Sequence, residues 1–397
     1  MPTANTNPML RRAALAVAGI AALAVGFPAF EKLFAGGLPA PMDFAAFWTA
    51  GQIGHAGGNV YDAAAVQQVQ RGIGLNDTAI MMWNPPWTLT LVLPLGWLSF
   101  PAAYGLWVVV NIGLMLASAE LLRRAFDGAR AVAYLLTIAF APSLLLIFSG
   151  QLTMFVLVGL AAFIVLRPRH PYLAGAVGAI SAIKPHMLVL FALWLFLDAI
   201  RTRDGRKVLL GGAASLLALS IPATLANPEI WSQYAAITTS GSSANHEHVA
   251  SWSPPLVGWW LRMAVPGQPF WVQWLPLAAG VALFAFVFRH RREADIPALV
   301  GLSMFIAPYG VWHHDLVLMA LPIVATAAKL NERRNRAAIV VGLAGFVLAD
   351  AAMFAMILTK APYQWFVWVV PATLLGCLAV ERLANREPAA APRPLGA

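Results

Sequence analysis

The sequence predicts an all-α polytopic membrane protein, on three observations: its composition, the recurrence of long apolar runs, and a one-sided distribution of basic residues. Of 397 residues, 60% are hydrophobic and 11% charged, a balance expected of a chain immersed in lipid. A helix needs roughly 20 apolar residues to cross the hydrocarbon, and between Arg11 and Glu381 such runs recur with short polar breaks. The formal net charge of +9 is dispersed between the runs rather than gathered on a water-soluble face. It therefore reads as topology and excludes a nucleic-acid surface.

Spanning segments are expected to start near residues 12, 102, 131, 150, 171, 186, 207, 271, 296, 314, 337 and 363, each running roughly 15 to 22 residues. The first follows Arg11-Arg12 and is apolar to Phe30 without a small-residue cleavage site, so it is expected to stay as a helix rather than leave as a signal peptide. Two shorter stretches, Pro85 to Phe100 and Pro254 to Val265, each begin with a double proline. They are expected to be re-entrant or interfacial, with protein burying their unpaired backbone groups. The whole chain, 1–397, then forms one membrane domain with a first outer loop at 31–84, a second at 227–253, and a Pro/Ala-rich cytoplasmic tail at 383–397.

With both termini in the cytoplasm, only Lys32, Arg71, Lys184, Arg262 and Lys360 of the 26 basic residues fall outside. Making Pro85 to Phe100 a full crossing would move the following clusters outward, which the positive-inside rule rejects. The same topology sends His55, His186, His246, His248, His313 and His314 outward, six of the eight histidines, with Asp43, Glu247 and Asp315. That concentration reads as an active face; the alternative is that histidines simply favour interfaces. Lys184 and Arg262 lie within or beside apolar segments, where an ionised side chain is costly without a partner. They are candidates for binding an anionic ligand, with snorkelling to headgroups as the alternative.

The first outer loop is too long to be a plain connector. Its Phe44, Phe47, Trp48, Tyr61 and Trp83 point to short amphipathic helices on the membrane. Asp43 stands where it would cap a helix over Phe44 to Ile53. In the second loop, Asn245-His246-Glu247-His248 carries two histidines around a carboxylate. Alternate residues of an extended chain point to opposite faces, which favours substrate hydrogen bonding or plain solvation over a metal site. Trp312-His313-His314-Asp315 falls where two helices turn, and paired histidines there can donate to phosphate or a sugar hydroxyl, or simply be wet beside an anchoring Trp312. Asp350, inside a spanning segment, is a candidate for function or for helix-to-helix hydrogen bonding. A phosphate loop, a dinucleotide fingerprint, a Gly-x-Ser-x-Gly elbow and a His-Glu-x-x-His pair are all absent from the sequence. Cys377, the single cysteine, leaves no internal disulfide and no cysteine-based metal cluster.

An ordered series of motifs runs from Asp43 to Pro322: Asp43-Phe44, Phe47-Trp48, Ala50-Gly51, Gly57 and Tyr61-Asp62; Asn84-Pro85-Pro86, Pro94-Leu95, Trp107 and Asn111; Gly150-Gln151; Ala174-Gly175 with Lys184-Pro185; then Pro308, Trp312-His313-His314 and Pro322. In that order they resemble glycosyltransferase family 87, whose members use polyprenyl-phosphate sugars, have the C-type glycosyltransferase fold and include phosphatidylinositol mannoside mannosyltransferases. Ser251-Trp252-Ser253 departs from the Asn-Gln-Ser expected there, on the acceptor side.

The resemblance implies transfer of a hexose, mannose above all, from a polyprenyl-phosphate-sugar donor to a lipid or glycan acceptor, with inversion, on the outer side of the plasma (inner) membrane. No nucleotide, metal or other cofactor is needed, because the donor already carries its leaving group. Asp43 would be the base that takes the acceptor-hydroxyl proton. Lys184, His313, His314 and Arg262 would meet the donor phosphate. Trp48, Tyr61, Asp62, Gln151, His186, His246, Glu247, His248, Trp312 and Asp315 would line the substrate site. The alternatives are a transporter or flippase for a lipid-linked sugar, or an oligosaccharide ligase or polymerase. A transporter is expected to show repeated halves with broken helices at the midplane, whereas the unusual features here gather in the first third and at outer loops.

Overall fold

The computed structural model describes residues 42–75, 78–239, 252–288, 294–333 and 335–385. Among the described residues all regular structure is helical. The segment expected from residue 12, the Asn245-His246-Glu247-His248 motif and most of the C-terminal tail lie outside the described residues.

Helix α1 (Met42–His55) and helix α2 (Ala63–Arg71) occupy the first loop. The two differ in character. Phe44, Phe47, Trp48, Ala50 and Ile53 are all buried, so α1 is enclosed by protein rather than laid on a surface. Val66 and Gln70 form the buried side of an otherwise wet α2.

The enclosure of α1 depends on the stretch after Pro85, which breaks into three short turns, Pro86–Thr88, Leu89–Val92 and Leu93–Trp97. Pro86 and Pro94 lack the amide hydrogen a continuous helix needs, and α1 occupies backbone acceptors left there. Gln52 Nε2 donates to Gly96 O at 2.6 Å, Trp48 Nε1 donates to Leu98 O at 3.0 Å, and the His55 ring meets Leu93 O at 2.7 Å. The chains touch backbone to backbone at Gly51 and Gly96. A Cβ on Gly51 would stand 2.6 Å from Val92 O.

Helix α3 (Phe100–Ala125) is followed by α4 (Arg130–Ile138) and α5 (Ala141–Ser149), which meet at a bend of 53°. Next come α6 (Thr153–Leu166), α7 (Pro171–Gly178) with a 3₁₀ continuation over Ala179–Ile183, α8 (Val189–Arg201), α9 (Arg203–Ala226) and α10 (Ile230–Thr239). The remainder is α11 (Val257–Met263), α12 (Leu275–Phe288), α13 (Ile296–Ile306), α14 (Ala320–Arg333), α15 (Arg336–Leu358) and α16 (Val369–Ala384).

About twelve crossings are expected from the apolar runs, but among the described residues five helices are long and apolar enough: Phe100–Ala125, Arg203–Ala226, Phe270–Phe288, Arg336–Leu358 and Tyr363–Ala384. The bent α4–α5 pair makes up to six. The runs from 150, 171 and 296 form apolar helices that are shorter, and those from 186 and 314 give helices of 13 and 14 residues. Hydropathy registers an apolar run but not the breaks within it. The run from 171 gives way to a 3₁₀ turn over Ala179–Ile183, the run from 186 opens on the turn Pro185–Met187, and the run from 314 opens on Asp315–Met319, so each leaves a shorter α-helix than its apolar length suggests.

Helix α6 lies at the centre, with Thr153, Met154, Val156, Leu157 and Leu160 fully covered. Helices α7 and α9 cross in close contact through Gly175 and Gly211. A Cβ on Gly175 would collide with Val208 O and one on Gly211 with Tyr172 O, the small-residue packing typical of membrane helices. Most of α15 and much of α9 stay uncovered, with Leu217, Leu225, Val340 and Leu348 exposed, as faces turned to lipid must be. Asp350, on α15, is a helix-to-helix link: its Oδ1 accepts the Ala141 amide at 2.8 Å.

Candidate functional site

Three chain breaks converge on one cavity of about 500 Å³. The first is the start of α1. The helix begins at Met42, so Asp43 sits in its first turn rather than at the cap, beside amide groups with no intrahelical partner. The second is the end of α5, where Gly150 turns left-handed at φ 73°, a conformation that favours glycine. A Cβ there would also stand 2.5 Å from Phe44 Cβ. Trp107 Nε1 fixes this corner by donating to Gly150 O at 2.7 Å. The corner places Ser149 and Gln151 near the Asp43 carboxylate, where both act to lower its pKa.

The third break holds Lys184, between the turns Ala179–Ile183 and Pro185–Met187. Asn84 Nδ2 donates to Ile183 O at 2.7 Å and Trp87 Nε1 to Ala182 O at 3.1 Å, which anchors the segment from the region after the first loop. Lys184 Nζ donates to Asp315 Oδ1 at 2.6 Å, and the Thr153 hydroxyl donates to the same oxygen. The Trp312 amide donates to Asp315 Oδ2 at 2.9 Å. Burial alone would raise the Asp315 pKa, but the charge of Lys184 and the hydrogen bonds from Lys184 and Thr153 hold it at about 2. The pair is therefore a fixed, internally neutral ion pair.

Asp43 has the opposite balance. Its pKa is raised to about 6, first by burial and partly offset by Lys184, with Asp315 adding to the rise and Gln151 and Ser149 opposing it. The side chain is 31% exposed and lines the cavity, and burial by the surrounding protein remains the largest influence on its pKa. The carboxyl is poised to exchange a proton near neutrality.

His186, His313 and His314 are neutral at pH 7. Burial pushes His314 well below its ordinary range, and both ring nitrogens make no hydrogen bond in the structure. They lie 3.8 Å from Asp43 Oδ2 and 3.7 Å from Asp315 Oδ2, so the ring sits between the two acids. His313 packs on Tyr363, centroids 4.6 Å apart, and on Phe366, with its pKa lowered to about 4 by burial. His186 is likewise lowered to about 4 by burial; it stacks on Tyr309 and bonds Gly310 O through Nε2 at 2.9 Å. A carbonyl only accepts, so Nε2 carries the proton and Nδ1 is left as an acceptor.

The structure thus brings Asp43, Gln151, Lys184, His186 and Trp312 to the cavity lining, with His314 and Asp315 directly behind it. Other expected site residues stand apart from that lining. Trp48 bonds Leu98 O and meets Phe100 edge-on. Tyr61 donates to Asn84 O at 2.8 Å. Asp62 is exposed and caps α2 by accepting the Ala64 amide at 2.9 Å. Arg262 is buried, donates through Nε to Gln268 O at 2.9 Å and lies over the Phe270 ring. His246, Glu247 and His248 lie outside the described residues.

Sequence reasoning missed Ser149, Thr153 and Tyr309. Ser149 flanks Gly150-Gln151 and was within reach of that motif, but Thr153 and Tyr309 carried no signal until the fold brought them to Asp315 and His186. Trp83 and Trp252 meet edge-on at 5.8 Å, and Trp252 meets Trp312 at 5.6 Å, which gives the cavity an aromatic wall. A more open hollow of about 790 Å³ runs along α9, lined by Trp87, Leu217, Ile221 and Trp231 among others and by no titratable group. Of these two hollows, the first is the one lined by titratable side chains.

A family model, glycosyltransferase family 87, matches residues 83–308. No curated protein and no solved structure matches the chain.

Proposed function

The chain belongs to glycosyltransferase family 87, and from that premise we propose that it moves a hexose, mannose in the first instance, from a polyprenyl-phosphate-sugar donor to a lipid or glycan acceptor with inversion. The reaction would take place on the outer side of the plasma (inner) membrane, in the C-type fold and with both termini cytoplasmic. The observation that carries this reading is the pairing of a proton-accepting Asp43 with Lys184 in one cavity next to an apolar hollow.

The charges suit a donor with a single phosphodiester charge. Lys184 is the cation among the described residues lining the cavity, and Asp315 already matches its charge. A nucleotide diphosphate would add two or more negative charges to a site with no surplus cation. A phosphodiester adds one and can take the Lys184 protons that Asp315 leaves free. Neutral His314 can donate an N–H without adding charge. The open apolar hollow lined by Trp87 offers room for isoprene units, and Asn84 and Pro85, two residues earlier in the chain, line the cavity.

In this mechanism Asp43 accepts the proton of an acceptor hydroxyl as that oxygen attacks the anomeric carbon. The bond from the anomeric carbon to the phosphate oxygen breaks with its electron pair, and the polyprenyl phosphate leaves against Lys184. Attack from the face opposite the leaving group inverts the anomeric centre. With a pKa of about 6, Asp43 is ionised at neutral pH and still basic enough to take the proton. His186 Nδ1 accepts from a sugar hydroxyl, and the tryptophan wall offers flat faces for the sugar ring.

The test is incubation of purified protein in sealed proteoliposomes with polyprenyl-phosphate mannose and candidate lipid or glycan acceptors, read by mass spectrometry, with the anomeric configuration of the product read by NMR. Transfer with inversion supports the reading. Movement of donor between leaflets without any product would replace it with transport.

A further inference from the structure

We infer that Asp350, on the lipid-facing helix α15, is a positioning residue for Asp43 and acts through helix α5 as a rigid strut. The inference rests on the reading of Asp43 as the catalytic base. Helix α5 is held at both ends. At its start, after the 53° bend, Phe140 offers no side-chain cap and the Ala141 amide donates instead to Asp350 Oδ1 at 2.8 Å. At its end, the left-handed Gly150 is pinned by Trp107 and packed against Phe44. Nine residues lie between these points, a rise of about 13 Å.

A helix this short holds its direction poorly without tertiary anchors. Ser143, in its first turn, has a buried hydroxyl without a partner, and Pro142 cannot donate. The bond to Asp350 is therefore the polar anchor of this end. At the other end Gly150 packs against Phe44, the residue after Asp43, and Gln151 lines the cavity beside Asp43, so a rotation of α5 moves the backbone that positions the carboxylate and the two side chains, Gln151 and Ser149, that hold its pKa down. The other titratable or charged groups bearing on Asp43 are Lys184, Asp315, His314 and Tyr363, and none of them is carried by α5. That separation lets the strut be tested alone.

Two variants remove the bond from opposite sides. Asp350→Leu deletes the acceptor. Ala141→Pro deletes the donor at the first helical position, where proline is tolerated, and Phe140 at φ −65° and ψ 121° already has the extended backbone that a following proline requires. Asp350→Asn keeps an acceptor oxygen and serves as the conservative rescue.

The expectation is that Asp350→Leu and Ala141→Pro each lower kcat by about 10- to 100-fold with KM nearly unchanged, as for small misplacements of a reacting group. The acid limb of the kcat profile should move upward as Gln151 and Ser149, which hold the Asp43 pKa down, are displaced. Asp350→Asn should restore both. Hydrogen exchange at residues 149–151, measured without substrate, should speed up in the first two variants and not in the third. Faster exchange at 149–151 supports the strut even if the wild-type protein transfers no sugar, a result that would count against the proposed function alone. Unchanged exchange there, or a folded Ala141→Pro enzyme with wild-type kcat and acid limb, overturns it.

Discussion

Asp43→Asn separates the readings of this residue more cleanly than any other substitution. The amide preserves size and can still accept a hydrogen bond, but it is a very poor base. Loss of a general base typically costs about 10² to 10⁴ in rate, so kcat should fall by that factor while donor affinity, set chiefly by Lys184, stays within a few-fold. Stability should move the other way. The Asp43 pKa of about 6 lies above the ordinary 3.8. The folded state therefore gains stability from protonating this group, in full below about pH 4 and lost as pH rises through about 6. A shift of about two units corresponds to about 3 kcal/mol, an upper limit because a side chain 31% exposed is partly screened by cavity water. The neutral amide escapes that loss. At pH 7.5 the variant should melt at or above the wild-type temperature, and the gap should close toward pH 4. The assays are transfer kinetics, donor binding and melting at both pH values. A variant with full turnover, or one that unfolds at pH 7.5 and recovers nothing at pH 4, would refute the assignment of Asp43 as a desolvated base.

The Lys184–Asp315 pair changes what Lys184→Ala reports: removing one partner leaves a buried, uncompensated charge and should cost about 3 to 5 kcal/mol, visible as a large drop in melting temperature. The double variant Lys184→Met with Asp315→Asn should recover much of that stability and still bind donor about 10- to 100-fold more weakly, a charge-assisted bond being worth about 1.5 to 3 kcal/mol; restored donor affinity would remove Lys184 from the phosphate site. The wild-type acid limb should report a base near pH 6, with kcat falling about tenfold per unit below it, and a profile flat to pH 5 would contradict the Asp43 environment. Gly150→Ala should lower both stability and activity, because the left-handed backbone costs about 1 to 2 kcal/mol for a residue with Cβ and the methyl meets Phe44; calorimetry and turnover check this. For topology, in a Cys377→Ala background, a cysteine at exposed Ala56 should react with a membrane-impermeant thiol reagent in intact cells while one at exposed Arg206 should not, and the reverse pattern would invert the orientation.

The site was partly legible in the chain: Lys184, an ionised residue beside an apolar run, declares a cost that needs a partner, and Trp312 to Asp315 stands out as paired histidines at a turn, whereas Asp43 by itself reads as a helix cap and is singled out only by the family resemblance. What the sequence left open was which partner. Asp350 reads from the chain as an intramembrane acid of open purpose, and only the bend between α4 and α5 supplies the unpaired amide it accepts. Asp62 and Arg262 carry the same residue types as functional groups, yet one caps α2 and the other ties down its own loop, because local backbone donors and acceptors reach them first.

The sequence by itself determined the solvent of this protein. Apolar surface and the cost of charge in lipid act on each segment separately, so composition and the spacing of basic residues suffice for a helical membrane chain, and the ordered motifs suffice for its family. The tertiary structure decided where apolar runs break, which carboxylate is desolvated and which is paired. Asp43 at about 6 and Asp315 at about 2 are the same side chain in two environments. The difference arises because Lys184 and Thr153 meet Asp315 from distant parts of the chain, and pair energies of that kind exist only once the helices have packed.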